Sequence, residues 1–258
     1  MIRGHKVIVA LPAYNAERTL EHIYRGIARD VVDEVLFVDD CSQDRTIDVA
    51  QRMGIPCHRH RQNQGYGANQ KTCYQLAVDR GAEIVVMLHP DYQYPPEMVA
   101  PLAELVASGK VHVALGSRML GGEIVQRGMP LYKYRSNRLW TWGQNVCLKQ
   151  RLSEYHTGFR AFSRAFLLGV PLLENSDDFL FDNQLLVQAI YFGYAIGEIA
   201  VDAHFEKDSS SISPWRGTWY GLGVVATTIQ YMLQRSDVAR CRIFHPTGRR
   251  LSGSLQAR

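Results

Sequence analysis

Five short apolar runs, at residues 6–11 (KVIVAL), 34–38 (EVLFV), 56–59, 84–88 and 111–115 (VHVAL), alternate with helical patterns at 17–29, 44–52, 68–80 and 96–108. Apolar runs of this length bounded by turn residues read as strands buried on both faces. Asp44 and Pro96 sit where helices start, as a capping carboxylate and an N-terminal proline. Repeated strand–helix units with right-handed crossovers predict a doubly wound, mostly parallel α/β sheet with helices on both faces. In such a sheet ligands bind outside the carboxyl ends of the strands. The polar clusters of this chain fall at those ends.

Beyond Gly116 the pattern changes. Residues 117–134 read as a long loop of the kind used as a lid, followed by helical patterns at 131–149, 179–192 and 218–234 and a short strand near 195–201. The expectation is one domain over 1–234, with a ligand-binding half at the strand ends (1–116) and a second half (117–234) that completes the site. Residues 235–258 hold six arginines without an apolar period and read as a flexible basic tail. The net charge of +4 fits an anionic partner, but the basic residues form no stripe interleaved with aromatics, which argues against nucleic acid. The five cysteines form neither a metal spacing nor a paired framework, which fits a reducing cytoplasm. A strand pattern begins almost at Met1 and leaves no room for a signal peptide. Residues 217–234 are uncharged but diluted by Gly, Thr and Gln, so they predict a packed or interfacial helix, not a membrane-spanning one.

Each strand end carries candidate chemistry. After the first run come Pro12, Tyr14, Asn15 and Glu17: proline ends the strand, tyrosine offers a face to a base, and the glutamate can bind ribose hydroxyls or favour its own helix. After the second, Asp39 and Asp40 are adjacent like charges, which a donor-rich ligand such as a nucleoside would offset. After the third, the Gly65–Gly67 segment with Lys71 is compatible with a phosphate loop or with a plain connection. After the fourth, His89, Asp91 and Gln93 stand where an aspartate can hold a divalent cation against a diphosphate.

Together, P-A-Y-N-x-E, V-D-D-x-S-x-D-x-T, N-x-G-x-G and x-x-D-x-Q-x-P-P, in this order after four strands, resemble the inverting family 2 glycosyltransferases of GT-A fold. Within that family the chain looks most like the branch of the dolichol-phosphate mannose and polyprenyl-phosphate glucose synthases. Gly116-Ser117-Arg118, Pro130–Lys133 and the segment 154–161 (EYHTGFRA) extend the likeness. The resemblance implies that Pro12, Tyr14, Glu17 and Asp39 hold the nucleoside, with Asn15 and Asp40 also in the nucleotide-sugar site. Gly65, Lys71, Gln93 and Arg160 would complete the donor site. Asp91 with Gln93 and His89 would hold Mg²⁺ or Mn²⁺, and Arg118 and Lys133 would neutralise phosphates. His89 replaces the first aspartate of the usual D-x-D, which makes Mn²⁺ plausible. Glu154 and Asp182 are the acidic candidates on the acceptor side.

The implied reaction is inverting transfer of a sugar from a nucleotide diphosphate, UDP favoured over GDP, to a polyprenyl phosphate at the cytoplasmic face of a membrane, with peripheral membrane contact. The same chemistry on a hydroxyl of a soluble metabolite or glycan is the alternative, and a nucleotide-sugar-binding protein without turnover is the third. A hydroxyl acceptor needs a general base. A phosphate monoester, with its second pKa of about 6, is already largely ionised at neutral pH.

Overall fold

The computed structural model describes residues 1–122, 124–125, 128–203 and 214–253, with side chains of the last stretch from Arg216 onward. Parts of the expected lid loop and the Trp215 side chain thus lie outside the described residues. One seven-stranded sheet organises the chain: β1 (Val7–Ala13), β2 (Glu34–Asp39), β3 (Cys57–Arg59), β4 (Ile84–Met87), β5 (Val113–Ser117), β6 (Arg160–Ser163) and β7 (Ile196–Ala200). Its order is β3-β2-β1-β4-β6-β5-β7. All pairs are parallel except those of β6, which runs antiparallel to both β4 and β5.

The helices are α1 (Leu20–Gly26), α2 (Thr46–Arg52), α3 (Tyr66–Asp79), α4 (Val99–Ala107), α5 (Leu131–Leu148), α6 (Arg164–Gly169), α7 (Leu180–Tyr191) and α8 (Pro214–Arg235). Side chains of β1 alternate between two cores. Val7, Val9 and Leu11 pack with α1, α2 and α4, whereas Ile8 and Ala10 pack with α3, α6 and α7. A strand buried on both faces gains from apolar residues at every position, which is why these runs show no polar alternation. Asp44 stands one residue before the cap of α2: Arg45 is the N-cap and makes no side-chain cap bond, while Asp44 Oδ1 accepts from Thr46 N at 3.0 Å.

Pro12 does not end β1, which continues to Ala13 opposite Asp39. The Ala10 carbonyl accepts from Leu88 on the β4 side, and Pro12, two residues on, faces the same side just past the last β4 partner, Met87. Its missing N–H therefore costs no ladder bond. The tail expectation also needs correction. Phe244 is fully buried and Ile243 and Leu251 nearly so; Gln188 Nε2 donates to the Ile243 carbonyl at 2.7 Å, and Arg249 pairs with Glu174 at 3.0 Å. Described residues up to 253 thus pack against the α7 side of the core.

Candidate active site

The first two strand ends are laced together. Asn15 N donates to Ser42 Oγ at 2.9 Å, Ala16 N to Thr46 Oγ1 at 2.7 Å, and Gln43 N to Asn15 Oδ1 at 2.8 Å. Glu17 joins this lattice: its Oε2 accepts from Arg45 N at 2.9 Å and ion-pairs with Arg45 Nε at 3.4 Å. The carboxylate therefore braces the start of α2 instead of serving its own helix. Tyr14 stands exposed beside it. Asn15, Cys41 and Tyr92 have φ of 54°, 62° and 62°. A non-glycine residue held in the left-handed region stores strain, and such residues gather at functional sites. These three lie on the loops after β1, β2 and β4.

Asp39 and Asp40 separate in role. Asp40 accepts from His60 Nδ1 at 2.7 Å, Gln64 N at 2.8 Å and Gly65 N at 2.9 Å, so both of its oxygens hold the loop before α3. Asp39 is fully buried, and its Oδ2 accepts from Ser42 N at 3.0 Å and pairs with Arg59 Nε at 3.3 Å. Its Oδ1 is buried without a hydrogen-bond partner. An unpaired buried carboxylate oxygen costs free energy unless a ligand donates to it.

The glycine segment turns away from phosphate chemistry. Gly67 N donates to the Asp177 carbonyl at 2.8 Å, and Lys71 Nζ bonds the Asn175 carbonyl at 2.5 Å and Asp177 Oδ1 at 2.7 Å. A Cβ on Gly65, whose φ is +101°, would meet the Asp177 carbonyl at 2.6 Å. These residues clamp the segment before α7 against α3. Arg160 is likewise internal: fully buried, its guanidinium donates to the carbonyls of Thr157 (2.8 Å), Asp182 (2.5 Å) and Tyr155 (3.0 Å).

At the end of β4, Asp91 is partly exposed, its Oδ1 accepting from Gln93 N at 3.2 Å. The buried His89 stacks on Tyr66 with ring centroids 5.1 Å apart, and its Nε2 lies 3.1 Å from the Tyr66 hydroxyl. That hydroxyl donates to Asp182 Oδ2 at 2.6 Å, and Gln70 Nε2 donates to Asp182 Oδ1 at 3.1 Å. Burial pushes the His89 pKa below its ordinary value against the pull of Asp91 and Asp182, which leaves a neutral ring near pH 7. A chain of contacts, Asp182 to Tyr66 to His89, thus reaches from α7 to the β4 tip. Tyr66 escaped notice in the sequence although it stands inside the N-x-G-Y-G segment. Nothing there showed that the helix would aim its hydroxyl at two other motifs.

On the acceptor side, the fully buried Glu154 accepts from Arg118 N at 3.1 Å, from Arg118 Nε at 3.0 Å and from Asn137 Nδ2 at 2.8 Å. Burial raises the Glu154 pKa, but Arg118 and Asn137 outweigh it and hold the carboxyl below the usual range. Both Arg118 and Glu154 are therefore committed to each other. Lys133, at the start of α5, is partly exposed, and its ammonium enters no ion pair among the described residues. Tyr220 of α8 reaches this region through His156 Nδ1 at 2.8 Å, while His156 Nε2 is buried and unpartnered.

Burial pushes the His156 pKa down to about 4. Because the folded state binds this proton less well than the unfolded chain does, stability is full above pH 6.5 and falls as pH drops from there towards 4. A loss of roughly 3 kcal/mol over that window is expected from a shift of this size. Urea unfolding at stepped pH measures it, and His156→Asn should flatten the profile.

The family model described as Glycosyl transferase family 2 matches residues 8–169. The undecaprenyl-phosphate mannosyltransferase of Micrococcus luteus is 25% identical over 251 residues, 92% of this chain and 99% of that one. The UDP-N-acetylglucosamine–dolichyl-phosphate N-acetylglucosaminyltransferase of Methanococcus voltae is 23% identical over 178 residues, 62% of this chain and 70% of that one. Among solved structures, glucosyl-3-phosphoglycerate synthase of Mycobacterium tuberculosis, in complex with Mn²⁺, UDP and phosphoglyceric acid, superposes with a TM-score of 0.68 at 18% identity, covering 92% of this chain and 80% of that one. Its likeness carries the fold alone, and that fold, with the mostly parallel seven-stranded sheet of this chain, is GT-A. The family match spans most of the chain, including every motif after the first four strands, and the chain belongs to the family 2 glycosyltransferases.

Proposed function

We propose that the enzyme transfers a sugar, with inversion, from a nucleotide diphosphate sugar to a polyprenyl phosphate. The observation that carries the donor site is Asp39: a buried carboxylate at the tip of β2 with one oxygen lacking any donor. A pyrimidine or purine N–H supplies that donor, with Tyr14 beside it as a stacking face. UDP is favoured because two of the proteins compared carry it in their names or complexes. Asp39→Asn keeps the shape but loses the charged acceptor. A hydrogen bond to a charged group contributes about 1.5–3 kcal/mol, so nucleotide affinity should fall roughly 10–100-fold in calorimetry.

A divalent cation fits the β4 tip. Among the described residues no group of three His, Cys, Asp or Glu could hold a metal alone. Mg²⁺ and, by the same oxygen chemistry, Mn²⁺ are commonly held by one or two carboxylates together with substrate phosphates and water. Asp91, partly exposed and past the strand end, is the carboxylate for it. Bound there, the ion would offset negative charge building on the leaving diphosphate. His89 faces Tyr66 through Nε2 and supports the tip from beneath.

The acceptor reading draws on the relatives and on the state of the acids. Glu154 is locked to Arg118, and Asp182 accepts from Tyr66 and Gln70. Neither is poised to take a proton from a hydroxyl. An acceptor that is already anionic needs no base, only cations to hold it; Lys133 is the candidate. A soluble phosphate-bearing acceptor is the second reading, favoured by the phosphoglyceric acid in the solved neighbour. Purified protein incubated with radiolabelled UDP- or GDP-sugars, Mn²⁺ and polyprenyl phosphate should move label into the organic phase. Label confined to water-soluble product would support the second reading, and absence of turnover with every donor would contradict both.

A further inference from the structure

The helices α5 and α8 lie side by side, with the Trp140 ring against Gly221 and Gln144 Nε2 donating to Thr228 Oγ1 at 3.3 Å. Their polarity is inverted relative to a water-facing pair. The buried positions of α5 are mostly polar (Asn137, Thr141, Gln144), and α8 buries Thr227 and Thr228 beside Val224. The exposed face of α5 carries Leu139, Trp142 and Val146, spaced three and four residues apart, with 60%, 66% and 61% of their surface open. On α8 the exposed face carries Trp219, Leu222 and Ile229. A soluble surface helix shows the opposite arrangement, and outward apolar faces of this kind on two helices packed together mark a binding surface.

Charge identifies the occupant. The two helices carry five Lys or Arg, three on α5 and two on α8, and no Asp or Glu. A two-fold contact with a second copy of this chain would set these cations against their own kind with no acid on either helix to pair them. An anionic lipid surface complements both the charge and the apolar face, and tryptophan favours its headgroup level. No helix among the described residues is long and apolar enough to cross a membrane, so the contact lies in the plane of the surface.

We propose that the outer face of α5 and α8 docks on an anionic bilayer. Both helices also touch the acceptor side, α5 through Asn137 to Glu154 and α8 through Tyr220 to His156. Docking therefore holds the acceptor side, which the inner faces of the same two helices touch, on the membrane-facing side of the molecule. The surface rests on the two helix faces alone; the lipid-linked acceptor proposed above explains its use but is not required for it.

Vesicle co-sedimentation of the full chain, without donor or acceptor, tests the proposal independently of the transfer reaction. Binding is expected to phosphatidylcholine vesicles that contain phosphatidylglycerol, weakening with salt, and not to phosphatidylcholine alone. Trp142→Glu combined with Ile229→Glu should lower binding at least about tenfold at an unchanged melting temperature, since both side chains are exposed. Arg235→Ala should lower it about fivefold at low salt. Equal recovery with both vesicle types, or no recovery with either, overturns the proposal. So does a dimer in sedimentation velocity that the double variant dissociates, because the face is then a protein interface.

Discussion

Asp91→Ala is expected to lower kcat/KM by at least about 10³-fold while leaving the melting temperature within about 2 °C of the wild type. The two halves of this expectation have separate physical grounds. Asp91 is partly exposed and sits on a loop past the end of β4, so its removal opens no cavity in either core. Its value lies in the reaction. As the sugar leaves, charge accumulates on the diphosphate, and an interaction made chiefly in that state changes kcat more than ground-state binding. The Asp91→Asn variant, which keeps the side-chain volume, should resemble Asp91→Ala in activity. Steady-state kinetics with differential scanning fluorimetry reads both quantities. A variant that retains more than a tenth of wild-type activity would remove Asp91 from the diphosphate site.

Glu154 should behave in the opposite way. Glu154→Ala is expected to cost about 3–5 kcal/mol of stability, because it leaves the Arg118 guanidinium without its anion where little water can reach. Arg118 is 11% exposed and Glu154 not at all. The penalty comes from the charge left behind, so Arg118→Met in the same chain should recover most of it. Urea midpoints of the two single variants and the double variant form the required cycle. The pH dependence has a defined sign: Glu154 is held below the ordinary carboxylate range, so the stability it contributes is full above about pH 4.5 and is lost as pH falls below it. A general base would give a different signature, near-normal stability in Glu154→Gln with a large loss in kcat alone.

The contrast between Asp91 and Glu154 shows what the sequence could and could not convey. Both were acidic residues in motifs of the right spacing, and the motif gave the same warrant to each. Position along a strand is readable from apolar periodicity, so β2 and β4 end within one residue of the apolar runs, with Asp39 at one tip and Asp91 past the other, whereas β1 runs on through Pro12 to Ala13. Partnership is not readable. Asp40, Lys71, Glu17 and Arg160 each turned out to hold backbone or another loop, at distances of sequence from 3 to more than 100 residues. Sequence reveals a charge but not the carbonyl or amide that folding brings beside it.

The missing strand has a similar cause. β6 reads R-A-F-S, four residues opening on an arginine and closing on a serine, and no apolar run announces it. It forms because β4 and β5 offer it two ladders and because three carbonyls receive the buried Arg160 guanidinium. The tail was misread for a related reason. Ile243, Phe244 and Leu251 are too widely spaced among arginines to show a period, yet each finds a place in or against the second core. Tertiary contacts, not local pattern, order both segments.

The central claim is that a nucleotide diphosphate sugar lies across the tips of β1, β2 and β4, its base donating to Asp39 and its diphosphate reaching Asp91 through a divalent ion. A crystal grown with Mn²⁺ and UDP-sugar, measured at the manganese edge, tests it most directly. The account predicts an anomalous peak at the Asp91 carboxylate beside the phosphates, with a base N–H on Asp39 Oδ1. A peak remote from Asp91, or a nucleotide bound with Asp39 Oδ1 still unpartnered, would contradict it.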